Sequence, residues 1–246
     1  MEIMGIRILK KATMAIVVII VCLLVAWNIS RARGFQVFGE LINRVDSVEK
    51  VVALTFDDGP WSNRFTDDVI TILREHDVKA TFFLNGLGIK NHPVATRKLV
   101  NAGHDLGNHS YSHKTLVLKG YKEIEEEIES TSALIRSSGF EGEIFFRAPY
   151  GKKLLVLPYY LKKNGITSVS WNIEPESYKA VRGSANAMVD HVVRNTTPGS
   201  IILLHVLGSG NGVSREALPL IISGLQARGF RFVKLPELLQ KRTRKP

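Results

Sequence analysis

An incomplete or distorted (β/α) barrel is the fold class this sequence predicts, and three observations predict it. Short apolar segments alternate with amphipathic segments of helical period from Val51 to Gln240. Glycine closes most of the helical segments, at Gly103, Gly139, Gly165 and Gly229. Residues able to do chemistry stand just after the apolar segments, and in a barrel those ends share one face. A doubly wound open sheet is the alternative arrangement for the same alternation.

The elements follow in order. Arg7, Lys10 and Lys11 precede residues 12–27, which carry no charge, and Arg31 and Arg33 follow. Residues 1–33 are therefore expected to be a membrane anchor or a signal segment. The apolar run is long for a signal core and slightly short for a span, and Ile29 brings it near the roughly 17–25 residues a crossing helix needs. Ser30-Arg31-Ala32 is a weak cleavage site among arginines, whereas Trp27 suits an interfacial anchor with the N-terminus inside. Either reading exports the rest of the chain. The single cysteine, Cys22, lies in this run, so no intramolecular disulfide exists and Cys22 reads as membrane filler. Residues 34–45 read as a connector and 46–240 as the folded domain.

Within the domain, strands are expected at 51–56, 80–84, 105–108, 144–147, 166–171, 200–204 and 230–234. Helices are expected at 66–76, 93–102, 121–138, 154–164, 184–195 and 214–228, with a helical turn at 235–240. Pro93 opens one helix and Pro198-Gly199 makes a turn. The glutamates of 121–138 read as a solvated face. Asp57 and Asp58 end the first strand and are expected on opposite sides of it, because side chains alternate along extended chain. Gly59-Pro60 then turns the chain.

The formal charge is +10. Residues 1–50 hold seven Lys/Arg against four Asp/Glu, and the tail 241–246 adds Lys241, Arg242, Arg244 and Lys245, so the middle is close to balanced. Peripheral basicity with no zinc finger or RNA-recognition signature argues against nucleic acid and for solvated ends and membrane flanks. Attraction to an anionic polymer or membrane surface is a secondary reading.

Four stretches carry chemistry. His109 and His113, four residues apart after a strand, complete a His₂Asp set with Asp58, and a catalytic zinc site uses three protein ligands plus an open position. Other divalent metals accept the same N/O donors. Arg147-Ala148-Pro149-Tyr150-Gly151 places an arginine where it can hold a carboxylate and a Tyr150 N–H where it can face an oxyanion. His205 ends the apolar run Leu203-Leu204 and can act as a general acid near neutral pH or be a core histidine. His76, His92, His104 and His191 read as structural or surface residues.

Taken together, TFDDG (55–59), HSYSH (109–113), RAPYG (147–151) and LLH (203–205) resemble, in order and spacing, the polysaccharide deacetylases of carbohydrate esterase family four, the NodB-homology domain. The resemblance spans about residues 46–240. It implies a distorted (β/α)7 barrel and metal-dependent removal of acetyl groups from sugars. It also implies Asp58, His109 and His113 as metal ligands, with Zn²⁺ first and Co²⁺, Ni²⁺ or Mn²⁺ as substitutes. Asp57 would be the base, His205 the acid, Arg147 the group orienting Asp57, and Tyr150 the oxyanion N–H. Leu203 would line the acetyl pocket, with Trp171 and Tyr178 as aromatic walls. Two departures stand out. Ser177 and Tyr178 occupy the place of an Asp-Trp pair, with Glu174 or Glu176 available to supply the carboxylate, and Val206 replaces an Asp after the histidine. The expected partner is an N-acetylated envelope glycan, peptidoglycan first and chitin-like oligomers or exopolysaccharide next, handled by a monomer at the cell membrane. A secreted form is expected if residues 1–33 are cleaved. A catalytically silent glycan-binding module is the alternative.

Overall fold

The computed structural model describes residues 2–242, with side chains from residue 10 onward. Helix α1 (Glu2–Arg31) is continuous over 30 residues. It outruns the charge-free stretch because Lys and Arg are good helix formers and do not stop a helix. Its Lys10–Arg31 part has mean hydropathy 2.6, is buried only at its end, at Ser30, and is the one helix among the described residues long and apolar enough to cross a membrane.

The strands are β1 (Leu41–Ile42), β2 (Val51–Asp57), β3 (Thr81–Leu84), β4 (Asp105–Asn108), β5 (Ser168–Val169), β6 (Ile201–Leu204) and β7 (Arg231–Phe232). The further helices are α2 (Asn63–Glu75), α3 (Gly86–Asn91), α4 (Pro93–Asn101), α5 (Tyr121–Ser137), α6 (Val156–Lys163), α7 (Ala185–Asn195), α8 (Gly212–Ala227) and α9 (Leu235–Gln240). Ser62 and Ser184 cap α2 and α7 through their hydroxyl oxygens, and Pro93 opens α4.

Strand β2 is the centre. It pairs in parallel with β3 on one side and β6 on the other, β4 continues beyond β3, and β7 joins Val51–Val52. The ring goes on through single bridges, Asn108 to Phe146 and Phe146 to Ser168, and Ile173 bridges Ile202 of β6. The result is a distorted parallel barrel. The expected strand at 144–147 contributes only Phe146, because the carbonyls of Val169 and Ser170 are taken by the Arg147 side chain.

Residues 34–45, read as a connector, are woven into this ring. Strand β1 pairs in parallel with β5, Arg44 bridges Ser200, and Ile42 and Val45 are buried. Two paired residues with no period to read leave no sequence signal of a strand. Helix α3 is also unforeseen, since glycine is a poor helix former. A Cβ on Gly88 would come within 2.5 Å of the Gly59 carbonyl, so only glycine permits that approach. At the other end, Lys241 and Arg242 pair with Glu49 and Glu40, while Arg244 and Lys245 lie outside the described residues.

Strand alternation sorts the core. Val51 and Ala53 of β2, Phe83 of β3 and Ile201 and Leu203 of β6 pack inside the barrel with Phe145 and Trp171. Val52, Leu54, Phe56, Phe82, Leu84, Ile202 and Leu204 pack outward under the helices. Both faces are covered, hence the unbroken apolar runs. The inward phase continues to Asp57 and His205, so the pattern that buries Ala53 and Leu203 also aims those two side chains at the barrel mouth.

His104 illustrates the structural histidines. It is buried against Phe82, and its Nδ1 accepts the Ala80 N–H. Burial, then Lys79 and Lys234, hold its pKa down at about 4 against an ordinary 6.5. Between those values the unfolded chain binds a proton that the folded chain refuses. Stability from this group is therefore complete above about pH 6.5 and declines as pH falls toward about 4, by up to roughly 3 kcal/mol. Urea unfolding of the full chain in detergent near pH 7 and near pH 4.5 should show the wild type losing more stability than His104→Gln, by about 2 kcal/mol. Equal losses in both chains would acquit His104.

Candidate active site

The site is assembled around one buried arginine. Arg147 is fully buried, and its guanidinium donates to Asp57 Oδ1 at 2.6 Å, Thr55 Oγ1 at 3.0 Å and the Ser170 carbonyl at 3.0 Å. It stacks 4.0 Å from the Phe83 ring centre and 5.4 Å from that of Trp171. Burial works against the Asp57 anion, but Arg147, helped by His109 and His205, outweighs it and holds the carboxyl below its usual range.

Asp58 breaks the expected alternation. Its φ of 73° turns the chain out of extension, so both carboxylates face the same cavity rather than opposite sides. His109 Nε2 lies 3.6 Å from Asp57 and 3.9 Å from Asp58, and His113 Nε2 lies 3.3 Å from Asp58. His109 Nδ1 donates to the Arg147 carbonyl at 2.8 Å, which leaves its Nε2 lone pair free. One ligand atom from each of Asp58, His109 and His113 falls within 4.8 Å of the others. Asp58 Oδ1 is buried and has no hydrogen-bond partner. An orphaned carboxylate oxygen facing two imidazoles is the donor set a divalent cation requires. Burial and the neighbouring His109 pull the His113 pKa down, which favours the neutral, ligating imidazole.

The two histidines sit in a loop rather than a helical turn, with Ser110 and His113 at positive φ. Glu127 of α5 holds that loop, accepting the N–H groups of Tyr111 and Ser112, both at 2.8 Å, and the Ser112 hydroxyl. This glutamate is half-buried and not part of a solvated face. Asn85, at the end of β3, ties two further motifs, accepting the Gly59 N–H and donating to the His109 carbonyl. A polar residue directly after the apolar run 81–84 was the available signal for Asn85. Glu127 had none, since its spacing matches that of its solvated neighbours.

His205 approaches from β6, its Nε2 4.0 Å from Asp58. Its Nδ1 and its backbone N–H both bond Glu176. Burial alone would lower the imidazole, but the Glu176 hydrogen bond and charge push it up to about 9. Tyr150 lies on a left-handed turn at φ 59°, ring 4.7 Å from His113 and 62% exposed. Leu203 and Trp171 line the same cavity, of about 440 Å³. Tyr178 does not. The tight turn Pro175–Ser177 carries it away onto His191 of α7, ring centres 4.5 Å apart. Arg31, Arg33 and Lys152 also line the cavity; the sequence marked the two arginines only as flanking charge and carried no signal for Lys152.

Residues 44–169 match the family model for polysaccharide deacetylase. A peptidoglycan-N-acetylglucosamine deacetylase of Bacillus cereus is 36% identical over 190 residues, covering 77% of this chain and 68% of that protein. The chain belongs to the polysaccharide deacetylase family. The structure of the Bc1960 peptidoglycan N-acetylglucosamine deacetylase matches with a TM-score of 0.76 at 33% identity, covering 84% of this chain and 95% of that one. BA3943, a CE4 family pseudoenzyme from Bacillus anthracis, matches with a TM-score of 0.74 at 27% identity, covering 83% and 70%. Deacetylases of this family depend on a metal, and among the described residues Asp58, His109 and His113 form a group that could hold one.

One of the sequence departures is compensated here. Glu176 gives His205 the carboxylate that Ser177 cannot, and Val206 is simply buried in the outer core. Glu174 instead accepts the Trp171 indole N–H at 2.9 Å. Because Glu127 fixes the loop that carries His113, Glu127→Ala should weaken zinc binding about tenfold to a hundredfold, the usual cost of losing an outer-shell partner. Competition with a chromogenic chelator measures this, and an unchanged affinity would show that the loop holds itself.

Proposed function

We propose that this deacetylase removes N-acetyl groups from an envelope glycan, peptidoglycan foremost, using Asp58, His109 and His113 as ligands to a divalent cation. The observation that carries the reading is the convergence of these three with Asp57 and His205 on one cavity, with a buried Asp58 oxygen left unpartnered. Zinc is the first candidate, since three N/O ligands with an open position is its catalytic arrangement, and cobalt, nickel or manganese accept the same donors. A cation bound there would polarise the acetyl carbonyl and acidify a water.

The protein's own groups do the rest. Asp57, kept ionised and aimed by Arg147, takes the proton of the attacking water. A C–O bond forms at the acetyl carbon, and the Tyr150 N–H faces the resulting oxyanion. His205 Nε2 hands its proton to the sugar nitrogen as the C–N bond breaks, so acetate and a free amine leave. Glu176 holds that imidazole through Nδ1. Leu203 and Trp171 wall the acetyl group.

The reading includes retention of α1 as a membrane anchor. The carbonyls of Ser30, Ala32 and Arg33 are bound by Lys153 and Ser170, which ties the end of the helix to the domain.

The test is acetate release by the full chain in detergent, from N-acetylated peptidoglycan and from chitin oligomers, with zinc or with a chelator. Asp57→Asn should keep its metal and lose about a hundredfold to ten-thousandfold in turnover. Unchanged turnover in that variant would exclude Asp57 as the base. Metal binding with no acetate in any arm would favour a silent glycan-binding module.

A further inference from the structure

The active-site cavity begins at the last residue of the candidate membrane span. Arg31 ends the Lys10–Arg31 stretch and lines the same cavity as Asp57 and His205. Arg33, two residues on and at most about 7 Å further along the chain, lines it too. There is no slack between span and site. The Lys153 N–H donates to the Ser30 carbonyl at 3.0 Å, its Nζ bonds the Ala32 carbonyl, and Ser170 Oγ bonds the Arg33 carbonyl. Lys153 is only 2% exposed, so this clamp is internal to the fold. The Arg33 guanidinium bonds Glu174 at 2.6 Å and Ser177 at 3.1 Å, 5.0 Å from the Trp171 ring centre.

The interface marker sits equally close. Arg31 lies 5.1 Å from the ring centre of Trp27, and Lys152 Nζ lies 6.0 Å from Trp27 and 5.8 Å from Tyr150. A tryptophan at the end of an apolar span marks the headgroup level. The same lysine thus spans from that level to the tyrosine stacked on His113. The catalytic cavity opens at the bilayer surface itself.

Charge then narrows the ligand. Arg31 and Lys152 form no ion pair among the described residues, whereas Arg33 is matched by Glu174. The remaining cavity acids, Asp57 and Asp58, belong to the reactive set. Two unmatched cations at the membrane end suit an anion lying beside the sugar, and arginine with lysine is a phosphate-binding pair. Resting on the deacetylase reading and on a retained α1, we infer that the substrate is a membrane-tethered saccharide. It is an N-acetylated sugar carried on a lipid through a phosphate, with the acetamido group at Asp58–His109–His113 and the phosphate at Arg31 and Lys152.

The test uses the zinc-loaded full chain in phosphatidylcholine vesicles with three probes: N-acetylglucosamine on a polyprenyl diphosphate, soluble N-acetylglucosamine 1-phosphate, and chitin oligomers. Acetate release from the lipid-linked probe should exceed that from either soluble probe about tenfold or more in kcat/KM. Arg31→Gln with Lys152→Gln should raise KM for the lipid-linked probe about tenfold, and Arg31→Lys should restore most of it, as loss of a charge-assisted contact requires. Equal use of chitin oligomers would overturn the tethered-substrate inference and leave the deacetylase intact. Equal use of the soluble 1-phosphate would overturn the lipid requirement. A double variant with an unchanged KM would show that the two cations serve only phospholipid headgroups, which also overturns it. Release from none of the probes while peptidoglycan is still deacetylated would overturn the tethered-substrate inference alone, and silence on peptidoglycan as well, with metal bound, would overturn the deacetylase reading with it.

Discussion

The buried ion pair between Arg147 and Asp57 is the constraint on which the site depends. A fully buried guanidinium is costly to desolvate and is tolerated only when its donors are matched. Here they are matched by two segments at once: Thr55 and Asp57 of β2, and the consecutive Val169 and Ser170 carbonyls at the end of β5. The Arg147 carbonyl in turn fixes the His109 tautomer. Barrel closure on this side and the protonation states of the site are therefore one problem with one solution. Loss of either charge would strand the other in a nonpolar interior, at a cost of about 3–5 kcal/mol.

Around that pair, carboxylates outside the reactive set do the positioning. Glu127 holds the loop of His109 and His113, Glu176 holds His205, and Glu174 holds Trp171 together with Arg33. Glu127 comes from α5 and Glu174 and Glu176 from the one turn at 174–177, so both histidine motifs are braced from outside themselves. The site thereby keeps its carboxylate partner for His205 even though Ser177 and Val206 depart from the pattern of the resemblance. The brace has moved to Glu176, one residue before Ser177, and the imidazole is held as the chemistry needs.

The start of the domain belongs to the same construction. The segment after α1 runs past the cavity at Arg33, pairs as β1 with β5, and bridges β6 at Arg44. Catalytic cavity, barrel seam and membrane-compatible helix are thus consecutive along one stretch of chain.

The sequence by itself determined the alternation of elements, the inward phase that carries Asp57 and His205 to the barrel mouth, and the presence of Asp58, His109 and His113 as a candidate metal-holding set. These are properties of local period and of residue type at strand ends, and both are written in order along the chain. Tertiary structure alone decided the rest. That Asp57 and Asp58 face one cavity follows from a single positive φ at Asp58, which no periodicity encodes. That Glu127 serves the site while Glu125 and Glu126 face solvent depends on which turn of α5 meets the histidine loop. That Tyr178 leaves the site depends on the turn at 175–177 and on His191, and that Arg31, Arg33 and Lys152 enter it depends on contacts between residues more than a hundred positions apart. Those contacts are set by how the ring closes, and closure is a property of the packed chain rather than of any segment of it.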